Sequence, residues 1–294
     1  MLFSLLLTTA LADQVKFDVD KGAQKWSFEV VWTDAVDKRH KAEFKLPADN
    51  IKADLDQPLR YKPKEANEFA AKAVNRWAKN RGKGPKVKAT ANAKGVSIAV
   101  TDAKNTKVAK KALREAVDVR DKAWKTYRDN NGFTLLDGAV VPDHAKHVRQ
   151  YTDDVKPLVK ALGGPTKDPR KFGNKALSFV QSIPYEKSGK KRDKYRRPLS
   201  MLGRNKGDCD SKVVLYLALM RAAYPNVDSG VVYIPGHAYA AVGLDPVVGD
   251  ARLKKDGSTW LLVEPVGPAV VSMGTVGRKS RRRARRGAVD LKEV

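Results

Sequence analysis

Gly207-Asp208-Cys209-Asp210-Ser211-Lys212 runs directly into Val213-Val214-Leu215-Tyr216-Leu217-Ala218-Leu219-Met220. The apolar run reads as a helix, and the residues before it place a thiol at the mouth of that helix. Backbone N–H groups and the macrodipole at a helix N-terminus favour a thiolate there. Cys209 is the chain's only cysteine, so it forms no internal disulfide and is an intermolecular partner, an inert buried group or a reactive residue.

Downstream, Gly230 to Ile234, His237 to Leu244 and Ser258 to Val263 read as three strands, with Pro235-Gly236 and Asp256-Gly257 as turn pairs. Antiparallel pairing of His237 directly opposite Glu264 sets Leu244 across from Gly257 and leaves residues 245–256 as the loop. Alternation then gives His237, Tyr239 and Ala241 one face with Glu264, Leu262 and Trp260. Asp245 lies eight residues along the strand from His237, roughly 26 Å at 3.3 Å per residue, too far to orient its ring. Asp250 and Asp256 fall at the distant loop, so Glu264 is the carboxylate whose pairing reaches the imidazole. The apolar run Trp260 to Val263 argues for a buried strand, where an unpaired charge is costly.

Upstream, Asp168-Pro169 has the pattern of a helix N-cap followed by proline at the first helical position. Phe172, Ala176, Phe179 and Val180 supply that helix's buried face. Between Lys187 and Lys206, nine Lys or Arg residues face only Asp193. Within this loop Lys190, Lys191, Arg192, Arg196 and Arg197 are candidate substrate-binding cations. A helix is expected over His144 to Leu162 in a connector spanning 131–165. His144 and His147 beside Asp143 make a pair too small for a metal site and read as a solvated helix face. No metal or cofactor is expected.

Residues 13–130 read as an N-terminal α+β accessory module. Short period-two runs at Val15–Val19, Trp26–Val30 and Ala42–Leu46 predict strands, and Ala66 to Ala78 recur at helical spacing after Pro63. A hairpin follows, turning near Asn92 to Gly95, and then a long helix from Val108 to Tyr127. Asp129-Asn130-Asn131-Gly132 marks the boundary. Residues 1–12, MLFSLLLTTALA, carry an apolar stretch before Ala10-Leu11-Ala12 and read as a signal peptide, the alternative being an apolar first strand. The expectation is export to a periplasmic or extracellular location. Beyond this stretch no segment approaches the roughly 18 apolar residues of a membrane span.

The 294 residues carry a formal net charge of +25 and 42% hydrophobic residues, enough for a real core. Seven of those charges crowd into Arg278 to Arg286, so 278–294 reads as a solvated basic tail. Loop and tail are both candidates for contact with a polyanion or an anionic envelope component. Neither interleaves aromatics as a base-stacking platform does, which argues against sequence-specific nucleic-acid recognition.

The motifs Gly207-Asp208-Cys209-Asp210-Ser211, Gly236-His237-Ala238 and Glu264-Pro265, in this order, resemble the transglutaminase-like superfamily of papain-type folds. Phe179 to Tyr185 is similar to the family's lead-in segment, and the likeness covers about residues 166–272. The family usually carries Asp where this chain has Glu264. The resemblance implies an α+β catalytic domain over 166–277, with a Cys-bearing helix packed on an antiparallel sheet. It also implies a thiolate–imidazolium pair: Cys209 attacks an amide carbon of a protein or peptide substrate, His237 protonates the leaving amine, and Glu264 holds the ring. Gln181 and Tyr185 are candidates for the second oxyanion donor beside the Cys209 N–H. The expected activity is an exported protease-like or amidase-like hydrolase. Acyl transfer to amines, or a catalytically inactive binding protein docked on an anionic surface, are the alternatives.

Overall fold

A computed structural model describes residues 14–186, 195–267 and 269–294. The expected signal peptide and the loop cations Lys190, Lys191 and Arg192 lie outside the described residues. The chain is α+β with antiparallel sheets. Among the described residues no helix is long and apolar enough to cross a membrane.

Strands β1 (Gln14–Lys21), β2 (Lys25–Thr33) and β3 (Arg39–Pro47) form an antiparallel meander, followed by α1 (Ala48–Asp56). Next come α2 (Pro63–Asn80), the hairpin β4 (Lys86–Asn92) and β5 (Gly95–Thr101), α3 (Thr106–Asn130), and the hairpin β6 (Phe133–Leu136) and β7 (Ala139–Pro142). Asn92 Oδ1 closes the first hairpin by accepting from the N–H groups of Lys94 and Gly95. Asp137 and Gly138, both at positive φ, turn the second, as a two-residue type I′ connection requires. Then follow α4 (His144–Tyr151), α5 (Lys156–Ala161), α6 (Pro169–Ser182), α7 (Pro198–Arg204), α8 (Cys209–Ala223), β8 (Ser229–Ile234), β9 (His237–Val242), β10 (Arg252–Lys255), β11 (Ser258–Val263), α9 (Arg278–Arg285) and β12 (Asp290–Glu293).

The chain divides into two compact units, and the division differs from the expected 13–130 module and 131–165 connector. One unit runs to Pro58 and resumes over His144–Val294; the other is Leu59–Asp143. The cause lies in side-chain size. Trp26, Phe28, Trp32, Phe44 and Leu46 on β2 and β3 are buried in one core with Phe172, Phe179, Leu199 and the α8 residues. Trp32 Nε1 donates to Ser178 Oγ at 3.0 Å, and its ring meets Phe179 edge-on with centroids 5.3 Å apart. In the Leu59–Asp143 unit, Ala71, Val74, Ala89 and Ala116 of α2, β4 and α3 form a small buried cluster of their own. The Asp129 to Gly132 break ends α3, and the β6–β7 hairpin still belongs to that unit. The helix expected over 144–162 is two helices, because Pro157 cannot continue a helical hydrogen-bond ladder and instead sits in the first turn of α5.

The sheet that frames Cys209 has the order β10-β11-β9-β8-β12. Its Val231, Ala238, Ala240, Val242, Leu261 and Val263 face the α8 side and share its core, which explains why α8 is apolar around its whole circumference. The other face, with Val232, Tyr239, Ala241, Trp260 and Leu262, is covered by Ala284 of α9 together with Leu291 of β12. Residues 278–294 are therefore part of the fold and not a solvated tail. Ser280 and Ala284, one helical turn apart, are small enough to seat α9, and both are buried. The arginines of its last turn complement the negative helix end. β12 then pairs with β8, setting Leu291 beside Val232. Gly230 makes room for it, since a Cβ there would meet Leu291 Cδ1 at 2.7 Å.

Candidate active site

Cys209 is the first residue of α8. Asp208 caps that helix, its Oδ1 accepting from Ser211 N at 2.9 Å and from Ser211 Oγ at 2.6 Å. Gly207 precedes the cap where a Cβ would meet Met201 Sδ at 2.5 Å, so any side chain there would force the buried Met201 to move. Its N–H donates to Pro184 O and its carbonyl accepts from Glu186 N, tying the approach to Cys209 to the end of the α6 segment.

His237 opens β9, and Glu264 directly follows β11. The imidazole Nε2 and Glu264 Oε2 lie 2.8 Å apart, with side chains 25% and 13% exposed. The register is not the expected one. Ala240 pairs with Val263 and Ala241 with Leu262, so one further step sets Glu264 level with Tyr239, two residues from His237. A shift of two keeps every side chain on its face, and the contact is made diagonally. Burial draws the His237 pKa down, but the hydrogen bond and charge of Glu264, with the charge of Asp210, outweigh it, and the net shift is upward.

The thiol differs more sharply from expectation. Cys209 Sγ donates to Asp210 Oδ1 at 3.6 Å, and no hydrogen bond between Sγ and the His237 ring occurs among the described residues. Burial first, then the Asp210 charge, push the thiol up to about 12, although the backbone N–H of Ala238 directed at the sulfur works the other way. Two carboxylates at the helix mouth, Asp208 and Asp210, offset the favourable helix end. A resting thiolate–imidazolium pair requires the cysteine to be the stronger acid. Here both groups are neutral at pH values between their two pKa values.

No family model, curated protein or solved structure matches this chain.

Gln181 is not available as an oxyanion donor. Its Nε2 donates one hydrogen to Glu264 O at 2.8 Å and the other to Val271 O at 3.1 Å, and its Oε1 accepts from Val271 N. A primary amide has only two N–H donors, so none is left. Gln181 instead fixes the backbone that carries Glu264. Tyr185 is 38% exposed and forms a single parallel bridge with Gly207, which keeps it on the approach to Cys209. Of the candidate substrate-binding cations within the described residues, neither is open. Arg196 makes a two-point contact with Glu186, at 2.5 and 2.7 Å. Arg197 reaches Asp54 at 3.2 Å and Gln57 O at 2.6 Å at the end of α1.

Near the site, the sequence did not disclose the roles of Asp210 and Lys212 or the burial of His144 and His147. Asp210 faces the thiol and also lies 3.7 Å from His144 Nε2. His144 and His147 are each only 2% exposed, contrary to the expected solvated face, because α4 packs on α8. His144 Nδ1 pairs with Tyr233 Oη at 2.6 Å and His147 Nδ1 with Tyr195 Oη at 3.0 Å, while burial lowers His147 to about 3. Lys212, one turn after Cys209, is fully buried and donates to Gln181 O at 3.2 Å. Its burial brings it down to about 7 against the opposing charge of Glu264. A lysine opening an otherwise apolar helix was the signal for it in the sequence.

Proposed function

We propose that this protein is an exported cysteine hydrolase of the transglutaminase-like type, cleaving amide bonds of proteins or peptides through Cys209, His237 and Glu264. The observation that carries the reading is the 2.8 Å His237–Glu264 contact at the start of a strand whose next residue, Ala238, directs its N–H at the Cys209 sulfur. A helix that opens with cysteine and packs on an antiparallel sheet, with an acid-oriented imidazole one residue from the backbone N–H directed at the sulfur, supports a papain-like reading.

The pKa order selects the form of the chemistry. His237 acts as a general base, taking the thiol proton as sulfur attacks the carbonyl carbon, then returns it to the leaving amine. Glu264 keeps the ring oriented and supports its transient positive charge. The acyl group on Cys209 passes to water. The Cys209 backbone N–H, at the open end of α8, supplies one oxyanion donor. A second reading, a binding protein on the same scaffold, is favoured by one observation: the thiol's hydrogen bond goes to Asp210.

The test is incubation with a peptide library derived from a whole proteome, quenched in acid and read by mass spectrometry. Cleavage, with an acyl adduct on Cys209, is expected for the wild type. Cys209→Ala should abolish cleavage, and His237→Ala should slow it by about 100-fold or more, the usual weight of an acid–base group. Cleavage that survives Cys209→Ala unchanged, or no cleavage and no adduct at any pH, would overturn the proposal. Incorporation of a labelled amine in place of hydrolysis would move the assignment to acyl transfer.

A further inference from the structure

The five-stranded sheet carries two of the three catalytic candidates, His237 and Glu264, on the side that α9 covers, while α8 with Cys209 packs on the other. Tyr239 and Leu262 on that face pack in the same core as Ala284, and alternation along β9 and β11 puts His237 and Glu264 on it too. α9 is thus an ordered cationic rod at the site's flank. Arg278, Lys279, Arg282, Arg285 and Arg286 are exposed, and no carboxylate pairs with them among the described residues. The charge of Lys279 is felt at His237, where it works against the protonated ring. On the other side of the helix, Arg281 and Arg285 join Arg252 around a cavity of about 480 Å³ beneath the 246–250 turn. Arg281 is anchored there on Gly249 O, and its buried Nε has no hydrogen-bond partner among the described residues.

We propose that the outer face of α9, carried by Arg278, Lys279 and Arg282, docks an acidic segment of the protein substrate and presents its backbone to Cys209 and His237. This rests on the hydrolase reading and names the substrate class for that site. Charge complementarity selects the partner class, and the rest of the helix excludes the others. α9 has no aromatic side chain on which a base could stack, and its apolar side chain, Ala284, is buried, leaving nothing to insert into a bilayer. Arg196 and Arg197, by contrast, are already engaged by Glu186 and Asp54.

The proposal is tested by fluorescence anisotropy of a labelled oligoglutamate peptide with full-length Cys209→Ala protein, so that binding is read without turnover. Oligoglutamate should bind, and bind more weakly as salt rises. The variant Arg278→Glu, Lys279→Glu, Arg282→Glu should weaken it by about tenfold or more, whereas the charge-matched variant Lys107→Glu, Lys110→Glu, Lys111→Glu on α3 should stay within about twofold, since all charge changes are equal and only position differs. Arg278→Glu alone, exposed in the first helical turn where an acidic residue suits the helix end, guards against misfolding and should weaken binding about threefold. Equal loss in the two triple variants, oligoglutamate binding no tighter than oligoglutamine, or stronger binding to single-stranded DNA or to phosphatidylserine vesicles would each overturn it. None of these outcomes depends on whether Cys209 is a nucleophile, which the adduct experiment decides separately.

Discussion

Replacing Asp210 with asparagine should make Cys209 more reactive, although it deletes a charge from the site. The carboxylate oxygen lies 3.6 Å from Sγ. At an effective dielectric of about 20, a charge at that distance opposes a thiolate by about 4 kcal/mol. The Asp210 side chain is 30% exposed, so water halves this to about 2 kcal/mol, or about 1.5 pKa units. Asparagine keeps an oxygen that can accept from the thiol, so only the charge is lost. The thiolate fraction at a fixed pH then rises about 30-fold. Nucleophilicity falls with basicity, with a Brønsted slope of about 0.5, and the net gain in rate is about fivefold. The assay is the second-order rate of alkylation by uncharged iodoacetamide across a pH series, read by intact mass, which the single cysteine makes unambiguous. Asp210→Glu, which retains the charge, should react like the wild type. An unchanged or slower rate in Asp210→Asn would refute the electrostatic reasoning. So would equal acceleration in both variants, which would point to loosened packing, or a wild-type alkylation midpoint near the ordinary thiol value.

Two further outcomes follow from burial. Lys212 has a folded pKa below its unfolded one, so its penalty is fully present below about 7 and fades as pH rises toward the ordinary lysine value of 10.5. Lys212→Met, similar in length and uncharged, should raise stability at pH 6 by a few kcal/mol and flatten the rise in wild-type stability toward pH 9, measured by urea denaturation; a loss of stability at pH 6 would contradict it. Leu291→Ala should cost about 2 kcal/mol in the same measurement, because Leu291 is 8% exposed in the core under α9; a change below about 0.5 kcal/mol would mean that the C-terminal residues carry little of the fold.

The strands and helices were legible wherever periodicity was clean. β1 to β3, α6 with its Asp168 cap, and the His237 and Trp260 strands stand where alternation and capping put them. The partnership of His237 with Glu264 was legible because parity, not exact register, decides which face a side chain occupies. Pairing slipped by two residues, and the contact survived. β10 was hidden inside the 245–256 loop because Arg252, Lys254 and Lys255 mask a strand whose one buried side chain is Leu253. The C-terminal residues read as a solvated tail for the same reason: seven cations dominate a segment whose fold depends on Ser280, Ala284 and Leu291. Unit boundaries could not be read at all from adjacency. Large aromatics on β2 and β3 find partners on α6 and α7, more than 100 positions away, and no local pattern encodes that pairing.

The position of Asp210 explains why the helix mouth alone was a poor guide to the thiol. A macrodipole contributes about half a charge at the N-terminus, and two full negative charges on Asp208 and Asp210 exceed it at shorter range. Forming a free thiolate at pH 7 from a thiol near 12 costs about 7 kcal/mol, too much to precede every turnover of an efficient enzyme. Moving the proton to His237 in concert with attack on the carbonyl avoids a free thiolate, and Glu264 and Asp210 both favour the protonated ring that results. Asp210 therefore acts with opposite sign on the two partners, holding sulfur in the thiol form at rest and stabilising the imidazolium once the proton has moved. An acidic segment lying along α9 would add to the second effect by neutralising Lys279, whose charge disfavours the protonated ring. Substrate charge and proton transfer are then coupled through one imidazole, and a substrate lacking that charge would meet a less basic His237.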